Sequence, residues 1–196
     1  MTFSWKKTYY FDKPGPANTT DAAKFAIERA LELKIQTIVI ASSSGKSAEI
    51  FYEAMKDSKL DLVIVTHVVG FTKPGEWEFS SEIARRLEKQ DVKIVKGTHA
   101  LSGLERALSR SAKVGGGSRT EAIAEALRRT IAVGLKVAVE CVLIAADQGA
   151  IGIDKEIIAV GGTASGSDTV CVIQPAHTAN FFDLQVREIV AMPRVR

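Results

Sequence analysis

Three short runs rich in β-branched apolar residues constrain this chain most: IQTIVIA at residues 35–41, LDLVIVT at 60–66 and VKIVK at 92–96. Each is too short for a stable helix, and the first two carry apolar residues on successive positions, as strands buried on both faces do. Between and before them lie windows with helical spacing. The first follows Asn18-Thr19-Thr20-Asp21, where either Asn18 or Thr20 caps and Asp21 sits in the first turn. Its apolar stripe is Phe25, Ile27, Ala30 and Leu31, ending near Leu33. A second helix is expected over 46–57, with Ile50, Ala54 and Phe51 inward, and a third over 77–90. Such alternation predicts an α/β domain whose mostly parallel sheet is covered on both faces.

The second half keeps the elements and loosens the rhythm. Residues 101–110 read as a helix. Gly115-Gly116-Gly117 breaks the chain before Ser118, which caps a helix over 119–133 with Glu121 at its third position. The window 136–146 fits both periods: Val137, Val139, Cys141 and Leu143 alternate, while Val137, Cys141 and Ile144 share a helical face. Helix is the reading, because Ala145-Ala146-Asp147-Gln148-Gly149 continues it to a glycine stop. Strands are expected at 156–160, 169–173 and 188–191. The opening, with Pro14-Gly15-Pro16, reads as an irregular segment over 1–17 of a single domain spanning 1–196.

Composition narrows the function classes. With 46% hydrophobic and 25% charged residues the chain is neither disordered nor low-complexity. A formal charge of +3 without a basic tract points away from nucleic acid. The opening MTFSWKKTYYF has no apolar core for a signal peptide, and the most apolar window, 131–146, is broken by Lys136 and Glu140 and too short to span a bilayer. A soluble cytoplasmic protein without a membrane partner is expected, its Cys141 and Cys171 buried free thiols.

The sharpest local signal is Ala41-Ser42-Ser43-Ser44-Gly45-Lys46-Ser47-Ala48, set between a buried strand and a helix. In open α/β folds ligands bind at the carboxyl ends of strands. Here backbone amides, hydroxyls, a permissive Gly45, the following helix N-terminus and the Lys46 ammonium all favour an anion, so a phosphate cradle is expected. The turn is only part of a Walker A motif, because Ile40 stands where the first glycine belongs, so triphosphate hydrolysis is not inferred. The bland alternative is a polar turn in which Ser44 or Ser47 merely caps the helix. A second candidate follows a later strand, Gly161-Gly162-Thr163-Ala164-Ser165-Gly166-Ser167-Asp168, where Asp168 either accepts from a sugar or ribityl hydroxyl or caps its own turn.

Strand-end placement puts His67, His99 and His177 on one side of the sheet, as ligand contacts or satisfied loop residues; their spacing is no metal signature. His67, Val68, Gly70 and Phe71, with Trp77 nearby, either cover a planar ring or act as packing anchors. No Ser-His-Asp order, paired-carboxylate spacing or general-base motif stands out.

The order of elements and Ser42-Ser43-Ser44-Gly45-Lys46-Ser47-Ala48 resemble the C-terminal α/β domain of pyruvate kinase. The resemblance is strongest to stand-alone archaeal proteins of this kind, through Lys136-Val137-Ala138-Val139-Glu140, Ala145-Ala146-Asp147-Gln148-Gly149, Gly161-Gly162-Thr163, Gly166-Ser167-Asp168-Thr169 and Gln174-Pro175-Ala176. It implies a three-layer α/β/α domain with an antiparallel edge strand, for which 188–191 is the candidate. Such an edge implies cover by another subunit, hence a homo-oligomer. In pyruvate kinases the matching turn holds a phosphate of a sugar-bisphosphate activator. Carried over, Ser42, Ser44, Gly45, Lys46 and Ser47 become phosphate ligands; the strand-end reading above, not the resemblance, adds Ser43, His67, Val68, Gly70, Phe71, Gly162, Thr163, Gly166 and Asp168 to the expected site. FMN is associated with some relatives and is the cofactor the resemblance implies, with a flavin-dependent oxidoreductase or phosphotransferase and an effector-sensing or structural partner as alternatives. Pyruvate kinase activity is not expected, because the catalytic barrel is absent.

Overall fold

The computed structural model describes residues 3–195. In chain order its elements are β1 (Tyr9–Phe11), α1 (Thr19–Leu33), β2 (Thr37–Ala41), α2 (Lys46–Met55), β3 (Asp61–Thr66), α3 (Ser81–Glu88), β4 (Lys93–Lys96), α4 (Gly103–Ser109), α5 (Arg119–Thr130), α6 (Val133–Asp147), β5 (Ile157–Gly161), β6 (Thr169–Gln174) and β7 (Gln185–Pro193). The strands form one sheet in the order β1-β7-β6-β5-β2-β3-β4. β2 pairs parallel with β3 and β5, and β3 with β4, while β6 runs antiparallel to both β5 and β7.

Period-two alternation sends the buried strands' side chains to both faces. Ile38, Ile40, Ile64, Ile158 and Val160 enter one core with Ala22, Ala26 and Ala30 of α1, Phe51 of α2 and Leu87 of α3. Val39, Val63, Val65, Ile157 and Ala159 enter the other with Leu135, Val142 and Leu143 of α6 and Ala124 of α5. The result is the three-layer α/β/α architecture. The chain crosses from one face to the other between β4 and β5, which opens a crevice beyond the carboxyl ends of β2 and β5, the switch point where such folds bind ligands.

Several expectations hold and several shift. The ambiguous window is helical: α6 is buried along nearly its whole length, and Gly149, at φ +66°, forms its left-handed stop while Ala150 N–H donates to Ala145 O at 2.9 Å. Ser118 caps α5 by accepting from Glu121 N–H. The helix expected over 77–90 begins only at Ser81, because Ser80 caps it and Trp77 and Phe79 stack in extended chain against the first core. In α1 the buried face is made of alanines, with Leu31 exposed, so the helix lies close on the sheet. In α2 Ala48, Phe51 and Met55 point inward, whereas Ile50 and Ala54 do not.

The opening segment is not irregular throughout. Tyr9–Phe11 pairs parallel with β7 and takes the outermost place in the sheet. The run 188–191 therefore lies one strand inside the edge, and the reversed strand is β6. Among the described residues no helix is long and apolar enough to cross a membrane.

Candidate functional site

The turn after β2 is held from three sides. Ser42 N–H donates to Val65 O at 3.0 Å, and its buried hydroxyl accepts from Ala48 N–H at 3.3 Å, while Ser44 Oγ accepts from Lys46 N–H at 3.5 Å, so Ser42 and, at longer range, Ser44 tie down the start of α2 and Ser47 does not. Ser44 O accepts from Ser80 N–H at 3.1 Å. Gly45 has φ +99°, and a Cβ there would stand 3.0 Å from Ile83 Cδ1, so both backbone and space demand glycine. Among the described residues no acceptor takes the amides of Ser43, Ser44 or Gly45, and Lys46, exposed, forms no ion pair.

Across the crevice, His67 follows β3. Its ring lies 3.8 Å, centroid to centroid, from Phe71 and 5.3 Å from His99. His67 Nδ1 is 2.6 Å from Glu78 Oε2, and its Nε2 is 3.3 Å from Ser43 Oγ. Hydrogen bonds from Thr72 and His67 hold the Glu78 carboxyl below the usual glutamate range. Trp77 faces elsewhere, stacked on Phe79 beneath the Lys96 ammonium, and serves as a packing anchor.

The far wall comes from α6. Glu140 is 4% exposed and accepts from His99 Nδ1 at 3.0 Å, Leu101 N–H at 2.9 Å and Lys136 Nζ at 2.5 Å. Burial works to raise its pKa, but the His99 hydrogen bond and the charge and hydrogen bond of Lys136 prevail and bring it to about 2. Burial pushes the Lys136 ammonium below the usual lysine range, against the pull of Glu140. Cys141 also borders the crevice, yet burial drives its thiol up to about 12 and leaves it inert at neutral pH.

The three serines of the turn, Lys46, the two histidines and the α6 groups line a cleft of about 610 Å³, within the range of small-molecule sites. Its walls carry Lys46, Arg106, Arg128 and Lys136 against one carboxylate, Glu140. Arg106 and Arg128 are braced by Glu121 and Glu125. Ile50, Val137 and Ile144 supply an apolar stretch.

Of the residues expected from sequence, Ser42, Ser43, Ser44, Lys46, Ser47, His67, Phe71, Gly162 and Gly166 meet at this cleft. Gly45, Val68, Gly70, Thr163 and Asp168 do not line it. Asp168 is fully buried: its Oδ2 accepts from Gly15 N–H at 3.0 Å and Thr163 N–H at 3.1 Å, and its Oδ1 from the Thr169 hydroxyl. It caps its own turn and anchors the opening segment, leaving nothing for a ligand hydroxyl. His177 pairs with Asp147, outside the cleft. It follows β6, the one reversed strand, whose end lies at the opposite edge of the sheet. Arg106, Arg128, Lys136 and Glu140 were not among the expected site residues. For the last two a signal is present in the sequence: two charges four residues apart in a helix whose one other charge, Asp147, stands at its end.

Residues 20–173, more than three quarters of the chain, match the sequence family described as the pyruvate kinase alpha/beta domain. The chain belongs to that family. The matched span runs from α1 into β6 and contains both glycine-bearing turns and the Glu140 wall, while β1 and β7 lie outside it. Among solved structures, pyruvate kinase from Cryptosporidium parvum in complex with ADP is similar at 15% identity, with a TM-score of 0.41, over 84% of this chain and 25% of that one. This member of the pyruvate kinase alpha/beta domain family thus spans about a quarter of that protein. Its described strands form an open sheet with two edges and no closed catalytic barrel.

Proposed function

We propose that this domain binds a phosphate-bearing small molecule in the cleft beyond β2 and β5, and that it acts as an effector-sensing domain. The observation that carries the reading is a turn in which, among the described residues, the amides of Ser43, Ser44 and Gly45 and the Lys46 ammonium have no protein partner, facing a wall that also presents Arg106, Arg128 and Lys136, each paired with one carboxylate. Such a donor set stabilises a phosphate monoester. Within the reading, FMN is the ligand we favour: the 42–47 turn suits its phosphate, and the stretch of Phe71, Ile50, Val137 and Ile144 suits a flat ring. Membership of the pyruvate kinase alpha/beta domain family supports the sensing role, since the resemblance assigns such domains to effector binding. A stand-alone, cytoplasmic, archaeal protein that self-associates belongs to the same proposal.

Titration calorimetry with FMN and with inorganic phosphate tests it. Lys46→Ala removes a charge-assisted contact of about 1.5–3 kcal/mol, so affinity falls by roughly ten- to a hundredfold. Unchanged affinity refutes the assignment. An absorbance scan of gently purified protein, with mass spectrometry of what it releases, decides between FMN and a colourless phosphate ester.

A further inference from the structure

Binding alone does not use the hydrogen-bonded series Ser43–His67–Glu78. A carboxylate only accepts, so the 2.6 Å contact to Glu78 places the ring proton on His67 Nδ1 and leaves Nε2 of the neutral ring to accept from the Ser43 hydroxyl at 3.3 Å. The second Glu78 oxygen accepts from Thr72 Oγ1, and Phe71 packs on the imidazole, so carboxylate and ring are both oriented. Ser43 stands on the turn between β2 and α2, where strand–turn–helix hydrolases expose their nucleophile, in the pattern Ala41-x-Ser43-x-Gly45. The left-handed residue is Gly45 rather than the serine itself. The amide of Ser44, next in sequence, has no protein acceptor among the described residues, the position of an oxyanion donor.

We propose that Ser43, His67 and Glu78 form a nucleophilic relay that hydrolyses a carboxylic ester of a phosphate-bearing molecule; the substrate's phosphate rests on the anion-binding reading above, through its Lys46 ammonium, which leaves the Ser44 amide to the oxyanion. Ser43 Oγ bonds to the acyl carbon as its proton passes to His67 Nε2. The ester C–O bond breaks, and the leaving alkoxide takes that proton. Water then attacks the acyl-serine, gives a proton through His67 back to Ser43, and releases the carboxylic acid. Ser43 and His67 are the catalytic residues; Glu78 is a positioning residue.

A fluorophosphonate probe with peptide mass mapping tests the relay, and 1-acetylglycerol 3-phosphate compared with 1-acetylglycerol tests the substrate class. Labelling is expected at Ser43, absent in Ser43→Ala, at least about a hundredfold slower in His67→Gln, and unchanged in Ser81→Ala. Glu78→Gln slows labelling and Glu78→Asp, which restores a carboxylate acceptor for the ring N–H, recovers part of the rate, a rescue that mere loosening would not produce. Thermal unfolding confirms that each variant folds; if Ser43→Ala does not, His67→Gln carries the test. The phosphate-bearing ester is expected to turn over at least tenfold faster per unit concentration, a preference lost in Lys46→Ala. Labelled Ser43 without that preference overturns the substrate class, and the anion reading falls with it when calorimetry finds no phosphate bound through Lys46. No labelling of Ser43 in a protein that still binds inorganic phosphate through Lys46 overturns the relay and spares the binding site.

Discussion

Glu140→Gln removes the charge of the one carboxylate that lines the cleft. The folded environment brings this group from 4.5 to about 2. At about 1.36 kcal/mol per pH unit, that depression favours the ionised, folded form by roughly 3 kcal/mol. Because the folded pKa is depressed, that contribution is present above about pH 4.5 and disappears as pH falls toward 2. Lys136 works in the opposite sense, its burial disfavouring the ammonium. The glutamine keeps the acceptor for Leu101 N–H but leaves the ammonium buried against a neutral amide, a situation Lys136 relieves in part by shedding its proton. The net expectation is a loss of about 2–3 kcal/mol at pH 7, below the usual cost of breaking a buried pair outright. Urea unfolding from pH 7 to pH 2.5 measures it. Wild type loses stability across the acid window and the variant much less, so the two curves converge. The pair Glu140→Gln with Lys136→Met should recover most of the loss, since two neutral side chains leave no stranded charge. A single variant within about 0.5 kcal/mol of wild type at pH 7, or acid limbs that stay parallel, would refute the reasoning.

Two further outcomes follow from close packing. Gly161→Ala places a Cβ 2.1 Å from Gly134 O and 2.8 Å from Ala138 N, so β5 and α6 must separate, and denaturant unfolding should show a loss of about 3 kcal/mol or more. A loss below about 1 kcal/mol would mean the two backbones part easily. Cys141 and Cys171 are buried, with thiols pushed up to about 12. A chromogenic disulfide reagent should therefore modify them no faster than the protein unfolds, and rapid reaction at Cys141 would show that the cleft opens deeper than its walls indicate.

What the sequence disclosed about the fold tracks how local each cause is. Ile38, Val39 and Ile40 announce a strand buried on both faces because each face must find its own core, a demand written in consecutive residues. Ser118 and Glu121 announce a helix start because the hydrogen bond between them spans three positions. The 136–146 window resolves in favour of helix through Gly149, a local stop that outweighs an equivocal period. Where the cause is distant, the reading fails. Nothing in Tyr9-Tyr10-Phe11 says that it will pair with residues 191–193, and nothing local in 188–191 says that another strand will lie outside it. The alanine face of α1 likewise follows from how closely the helix must approach the sheet, and Leu31, though more apolar, is left outside.

The site divides along the same line. The 42–47 turn is legible because amides, hydroxyls, glycine and lysine occur together in six residues. The groups that give the cleft its chemistry are assembled by topology instead. Glu78 reaches His67 from eleven residues on, across a loop whose pairing no motif predicts, while Glu140 reaches His99 from forty-one residues away. Asp168 shows the converse hazard: a carboxylate in a glycine-rich turn resembles a ligand group, yet buried amides must be paired, and here Gly15 and Thr163 claim it. An acid that anchors its own turn and an acid that orients a histidine look alike in one dimension. They part only when each oxygen's donors are known, and that accounting separates the positioning residue Glu78 from the structural residue Asp168.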